Sequence, residues 1–269
     1  MTQKNVLILK DISKTFYPGT FNQNNVLNEL NLMVKKGDFI TIIGGNGSGK
    51  STLLNSIAGT FLVDKGSIKI NEKEIKKLKE EQRATLIGRV FQDPLMGTAP
   101  RMTVSENLSI AYRRGQKRTL KKGSSSEERQ YFETLLKKLD LGLEKRLMSE
   151  MGLLSGGQRQ AIALLMATMK KPELLLLDEH TAALDPKTAS VVLELTRKRI
   201  EEEELTALMI THNMQDALNY GNRLIMLDKG KVVLDLSGKD KQDLTVSEVL
   251  NLFQKSTMNQ LINDESSLD

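Results

Sequence analysis

The segment Gly44-Gly-Asn46-Gly47-Ser48-Gly49-Lys50-Ser51 concentrates glycine, one lysine and two hydroxyls within eight residues. Glycines let successive backbone N–H groups curl around phosphate oxygens, because no Cβ stands in the way. A helix opening at the end of the loop adds its N-terminal dipole. In such a loop the Lys50 ammonium reaches the β- and γ-phosphates, and the Ser51 hydroxyl, with Thr52 next to it, lies at the Mg2+ position. This is the P-loop pattern. It speaks for nucleotide binding and for nothing narrower.

Two further runs complement it. Leu174-Leu-Leu-Leu177 ends in Asp178-Glu179, an apolar run followed by two carboxylates. As a strand of a parallel sheet it would deliver both acids to the ligand edge, where such folds bind nucleotide. Asp178 would then serve the Mg2+ shell, and Glu179 would polarise an attacking water. Taken alone, the run also reads as a buried strand stopping at an acidic turn. Leu154-Ser155-Gly156-Gly157-Gln158 opens another helix, giving the chain a second N-terminus suited to an anion. One nucleotide has little use for two such ends. A head-to-tail dimer resolves this, with the P-loop of one copy facing Ser155-Gly156-Gly157 of the other across ATP. The plain alternative is a Ser155 helix cap followed by two slack glycines.

The elements that must position these residues alternate strand and helix. Val6–Leu9, Phe39–Ile43, Ser67–Ile70, Leu86–Phe91, Leu174–Leu177, Thr206–Ile210 and Leu224–Leu227 read as strands. Ser51–Gly59, Gln158–Met169 and Ala189–Glu203 read as helices, and the stretch from about Pro94 to Leu153 is helical in pattern, clearest over Thr103–Tyr112 and Glu127–Leu139. This order predicts an α/β fold with a mostly parallel sheet covered on both faces and a helical insert. Gly123-Ser-Ser-Ser126 reads as a flexible loop, and Val246–Phe253 as an amphipathic piece in an otherwise polar tail.

Together these motifs resemble the ATP-binding cassette (ABC) ATPase family from Val6 to about Val233, with the run at 154–158 as its signature. The resemblance implies a P-loop NTPase core with an N-terminal antiparallel β subdomain and an inserted helical subdomain at about 94–153. It places the cassette over residues 1–240 and a C-terminal helical extension over 241–269. Gln92, in Val90-Phe-Gln-Asp93, matches the Q-loop, which implies contact with Mg2+ and its water and sensing of a membrane partner. Asp185, in Ala182-Ala-Leu-Asp185, matches the D-loop. His212 matches the switch histidine, which implies a γ-phosphate contact. Phe16 stands where an aromatic stacks on adenine, with Tyr17 as the rival. His180 departs from the pattern, which carries proline after the catalytic glutamate; it reads either as a packing substitute or as a pH-sensitive contact near the γ-phosphate. The run Asp178-Glu-His-Thr resembles a bacterial importer subgroup associated with amino acids or similar solutes.

Composition narrows the partners. Cysteine is absent, so disulfides and thiolate metal sites are excluded, and a reducing cytoplasm fits. Aromatics make up only 4% of the 269 residues and tryptophan is absent, which argues against extended base-stacking platforms; no nucleic-acid partner is expected. No stretch approaches the ~20 apolar residues that span a bilayer. The N-terminus shows no signal-peptide core, since Val6–Leu9 is cut off by Lys10 and Asp11. A membrane role therefore runs through partners. The expectation is an importer motor at the cytoplasmic face of the membrane, paired with a second, identical ATPase subunit beneath permease subunits and served by an extracytoplasmic substrate-binding protein. Leu95, Met96 and Met102 would meet the permeases, or else belong to the core. The basic segment Arg113–Lys122 reads as a solvated loop or as a contact for anionic lipid. A soluble single-cassette ATPase, for instance in cofactor assembly, is the alternative reading; an exporter motor would more often be fused to its membrane domain.

Overall fold

The computed structural model describes residues 4–116 and 124–252. The chain divides into two units, residues 1–80 with 206–269, and residues 81–205.

The first unit opens with β1 (Asn5–Phe16) and β2 (Asn24–Lys35), paired antiparallel. Leu30, Leu32 and Val34 alternate inward along β2, the two-residue period of a half-buried strand. Lys10 and Asp11 do not end β1, as the sequence reading expected. The β1–β2 register shifts between Leu9 and Ile12, and Asp11 takes a left-handed φ of 49° while exchanging hydrogen bonds with the Asn31 side chain. A bulge of this kind turns consecutive charges outward and lets the strand continue. Next comes β3 (Phe39–Ile43), buried along its whole length, then α1 (Lys50–Ala58). The strands β4 (Lys65–Ile70) and β5 (Lys73–Glu74) complete an antiparallel sheet in the order β2-β1-β4-β5.

The second unit begins at α2 (Glu80–Arg83) and β6 (Ile87–Val90). The helices α3 (Val104–Tyr112), α4 (Ser126–Lys137) and α5 (Gly156–Thr168) follow, with short 3-10 turns at Leu143–Arg146 and Met151–Leu153. Their apolar faces share a core of Val104, Leu108, Phe132, Leu136, Met151 and Ile162, among others. Each helix starts at a reciprocal capping box, Thr103 with Glu106, Ser125 with Glu128, and Ser155 with Gln158. The serines expected to form a flexible loop are thus put to other uses: Ser125 caps α4, and the Ser124 hydroxyl meets that of Ser105 at 2.9 Å. The unit closes with β7 (Leu174–Asp178), parallel to β6, and α6 (Pro186–Glu202).

The chain then returns to the first unit through β8 (Ala207–Ile210) and α7 (Met214–Asn219). A hairpin follows, β9 (Arg223–Asp228) and β10 (Lys231–Ser237), joined at Lys229-Gly230 with both φ angles positive, as a two-residue hairpin turn requires. Here β3 lies between β8 and β9 and runs parallel to both. A strand hydrogen-bonded on both edges and covered on both faces has to be apolar throughout, and Phe39–Ile43 has only Thr41 as a polar member. The Thr41 hydroxyl donates to the Ala217 carbonyl at 2.8 Å. After α8 (Lys239–Gln242), a helix runs from 246 to the last described residue, with Val249 packed against Ile43, Leu224 and Met226.

Candidate nucleotide site

In the first unit, β3 ends at Ile43 and the glycine loop begins. Gly44 has φ 151°, and a Cβ there would stand 2.3 Å from the Leu227 carbonyl oxygen. At Gly49, φ 101°, a Cβ would stand 2.8 Å from the Val26 carbonyl oxygen. The loop is therefore pressed between the start of β2 and the β9–β10 hairpin, and no side chain fits at either position. The hairpin turn braces it directly, since Gly230 N–H donates to the Ser48 carbonyl at 3.0 Å.

Asn46 and Gly47 lie exposed on the outer rim of the loop, while Ser48 is buried and its Oγ has no partner among the described residues. Lys50 is buried too and folds back, donating from Nζ to the carbonyls of Gly44 at 2.8 Å and Gly45 at 3.0 Å. Gly49 caps α1 without a side-chain bond, so no cap side chain covers the N–H groups of the first turn, where Ser51 is exposed and Thr52 half-buried. An uncapped helix start with a lysine folded over a glycine loop is suited to receive phosphate. His212 follows β8 at the same carboxyl edge of the strands, exposed, with Ile42 and Ile210 in register just before the two loops.

Phe16 closes β1, half-buried, with its ring 5.3 Å from that of Phe61 and edge-on to it. Lys14 Nζ lies 5.5 Å from the Phe16 centroid and 5.6 Å from that of Phe61. Tyr17 is 69% exposed with φ 53° and belongs to the turn beyond the strand. Phe61 and Lys14 were not singled out from the sequence, and neither carries a periodic or motif signal.

In the second unit, β6 and β7 pair in parallel with Val90 opposite Leu177, so Gln92 and the Asp178-Glu179 pair leave the same strand edge. Gln92 is exposed. Asp178 is half-buried and accepts a charged hydrogen bond at 3.2 Å from Arg89, whose guanidinium also lies 4.4 Å from the Phe91 centroid. Glu179 sits in the left-handed region at φ 48°. A non-glycine residue rarely adopts this conformation, and such residues cluster at functional sites.

His180 points inward, 2% exposed, with Nε2 at 3.0 Å from the Thr196 hydroxyl of α6. Burial pushes its imidazole down to about 4, so it is neutral at physiological pH. The side chain is thus enclosed and tied to α6.

Ser155, exposed, is the cap of α5, and its hydroxyl accepts from Gln158 N–H while Gln158 Oε1 accepts from Ser155 N–H. Gly156 is half-buried. Gly157 is buried beneath α6, where a Cβ would stand 2.1 Å from Thr188 Cγ2. The second glycine is thus required by helix packing within the chain. Asp185 caps α6, and hydrogen bonds from Thr188 hold its carboxyl below the usual range.

Elsewhere in this unit, a cavity of about 590 Å3 is lined by Phe91, Met96, Ile110, Ala111, Arg114 and Met166, among others. Leu95 and Met96 are exposed and Met102 is half-buried. Of the basic segment, Arg113 pairs with Glu128 at 2.9 Å, and Arg114 donates to the Ala167 and Lys170 carbonyls at the end of α5; residues 117–122 lie outside the described residues, as do Phe253 and the tail beyond it. Among the described residues no helix is long and apolar enough to cross a membrane.

Comparison with known proteins gives the family. A family model described as ABC transporter matches residues 27–182. The tyrosine transport ATP-binding protein of Clostridioides difficile is 47% identical over 250 residues, 93% of this chain and 99% of that protein. A putative hemin import ATP-binding protein of Staphylococcus epidermidis is 36% identical, over 84% of this chain and 98% of that one. Among solved structures, the ATP-binding cassette MJ0796, a dimer in a post-hydrolysis state bound to ADP and Pi, superposes with a TM-score of 0.73 at 31% identity, covering 86% of this chain and 98% of that chain. By the family model and these relatives, the chain belongs to the ABC transporter family as an ATP-binding, ATP-hydrolysing cassette.

Proposed function

We propose that the chain is the motor of a membrane importer of small solutes, amino acids foremost, working at the cytoplasmic face as a head-to-tail pair of identical subunits beneath permease subunits. An extracytoplasmic binding protein would deliver the solute. The observation that carries the motor reading is the glycine loop at 44–49, braced on both sides, with Lys50 folded over it and α1 uncapped behind it. In this reading Phe16 stacks on adenine, the N–H groups of the loop and of Ser51 and Thr52 hold the phosphates, and Lys50 exchanges the Gly44 and Gly45 carbonyls for phosphate oxygens. Mg2+, when bound, supplies neutralisation of the β- and γ-oxygens. Ser51, Gln92 and Asp178 would hold it, a set of hard oxygen donors that suits this ion. Glu179 orients the attacking water and His212 meets the γ-phosphate.

The dimer is argued from the run Ser155-Gly156-Gly157, a second glycine-rich helix start beyond that of α1 for one nucleotide per P-loop; the Ser155–Gln158 capping box at α5 would have to open toward the nucleotide. Ser155, Gly156 and Gln158 would therefore serve the nucleotide of the second copy, with Gly157 allowing the helix to pack and Asp185 at the same interface. The cavity, lined by Phe91, Met96, Ile110 and Met166 together with Arg89, Arg113 and Arg114, and the exposed Leu95 suit a short amphipathic helix from a permease. Amino acids are favoured because the relative at 47% identity is named for tyrosine transport and spans nearly the same length.

Uptake of labelled amino acids in cells lacking this gene, complemented with wild type or Lys50→Ala, tests the reading. Uptake restored by wild type only is the expected result. Uptake of every amino acid unaffected by the deletion, with the tagged protein recovered free of membrane proteins, would overturn it.

A further inference from the structure

The turn between β7 and α6 holds Glu179 at φ 48°. Ala182 N–H donates to the Glu179 carbonyl at 2.9 Å, and Leu184 N–H to the Thr181 carbonyl at 3.1 Å. Both bonds lie within the turn. The next side chain ties it to α6. His180 lies under the turn with its Nε2 at 3.0 Å from Thr196 Oγ1, midway along α6. Thr196 is fully buried, and its hydroxyl donates to the Val192 carbonyl at 2.8 Å. A hydroxyl has one proton to give, so Thr196 Oγ1 must accept from His180, and the imidazole carries its proton on Nε2. The chain of bonds therefore runs His180 Nε2–H to Thr196 Oγ1, then Thr196 O–H to the α6 backbone.

This bond spans the whole turn 179–185, joining the residue after Glu179 to the body of the helix that Asp185 begins. Proline, expected here from the family pattern, would stiffen the backbone but could make no such tie. We propose that His180 is a positioning residue for Glu179: its hydrogen bond to Thr196 fixes the turn that aims the carboxylate. The proposal rests on the reading of Glu179 as the group that orients water. Misplacing a reacting group by about an ångström can cost on the order of a hundredfold in rate, so loss of the anchor should appear in kcat.

The test compares His180→Ala, His180→Gln, Thr196→Val and Thr196→Ser by ATP turnover, nucleotide affinity and thermal melting, with Glu179→Gln alongside. Glutamine can place a donor where the Nε2–H was, and serine keeps the acceptor. The expected result is a kcat lowered roughly tenfold or more in His180→Ala and Thr196→Val, with KM for ATP within about twofold. His180→Gln and Thr196→Ser should recover most of the rate. Adding Thr196→Val to Glu179→Gln should cost little further, because the carboxylate to be aimed is already gone. If His180→Ala does not fold, Thr196→Val carries the test, since it leaves the imidazole in place. Wild-type kcat in folded Thr196→Val, or a lower melting temperature alone, would overturn the positioning role. Unchanged turnover in Glu179→Gln would instead overturn the reading beneath it.

Discussion

Gln160 donates its Nε2–H to the Phe91 carbonyl at 2.8 Å, so the helix that opens with Ser155-Gly156-Gly157 grips the residue just before Gln92. Phe91 and Gln160, 69 positions apart in sequence, thus join the two motifs into one structural piece within the second unit. Gln160 is buried, and among the described residues its Oε1 has no partner. The made bond and the unmade one partly offset each other. Gln160→Leu should therefore destabilise the protein by only about 1 kcal/mol, while Gln160→Glu, which loses the donor and buries a charge against a carbonyl, should cost about 3 kcal/mol or more. Urea denaturation measures both, and equal midpoints for the two variants would contradict the bond's role.

Phe16 packs edge-on against Phe61 while Tyr17 is exposed, which favours Phe16 as the proposed adenine platform. Phe16→Ala should raise the KM for ATP by the loss of a stack of ~1–3 kcal/mol, with kcat little changed. Steady-state kinetics of Phe16→Ala beside Tyr17→Ala decide it; an effect confined to Tyr17→Ala would mean that the aromatic has been assigned one residue early.

Lys241 is buried at the end of α7, where its Nζ donates to the carbonyls of Tyr220 and Gly221. Burial pushes its ammonium down to about 8 from the usual lysine range. The unfolded chain keeps that proton up to the ordinary value near 10.4. Between those two values the unfolded state binds more protons, so this group makes stability rise with pH there. Below about pH 8 the lysine is charged in both states and the cost of its burial is fully present. Relative to Lys241→Met, wild type should gain about 1–3 kcal/mol from pH 8 to pH 10, discounted for partial solvation. Denaturation of both proteins across that range would show a flat difference if the lysine were not desolvated.

The head-to-tail dimer predicts that Glu179→Gln, which binds Mg-ATP but lacks the charge that orients water, accumulates as a dimer. Adding Ser155→Arg should abolish that dimer, because bulk and a misdirected cation would meet the opposite subunit's phosphate. Size-exclusion chromatography with light scattering, with and without Mg-ATP, reads the mass. A dimer that survives Ser155→Arg unchanged would remove Ser155 from the interface.

Much of this was legible in the sequence where one rule acted alone. Phe39–Ile43 read as a strand, and Thr103–Tyr112 and Gln158–Met169 as helices, because each has one clear apolar pattern. Elsewhere, competing effects hid the signal. The bulge at Asp11 let β1 run on through two charges, and the kink at Glu29, φ 48°, interrupted the alternation of β2 among its asparagines. The six residues of α7 are too few to show a period. His180 and Gln160 are polar residues made internal by single hydrogen bonds, and no pattern of residue types announces such a bond. Phe61 joins the Phe16 ring only through the fold.

Glu179 carries the proposed chemistry, and the measurement that tests it is the steady-state ATP turnover of Glu179→Gln at saturating Mg-ATP, on protein shown to bind the nucleotide. The side chain keeps its shape and a hydrogen-bonding end, so binding should persist while turnover falls by roughly a hundredfold or more. Turnover at the wild-type rate would take Glu179 out of the chemistry.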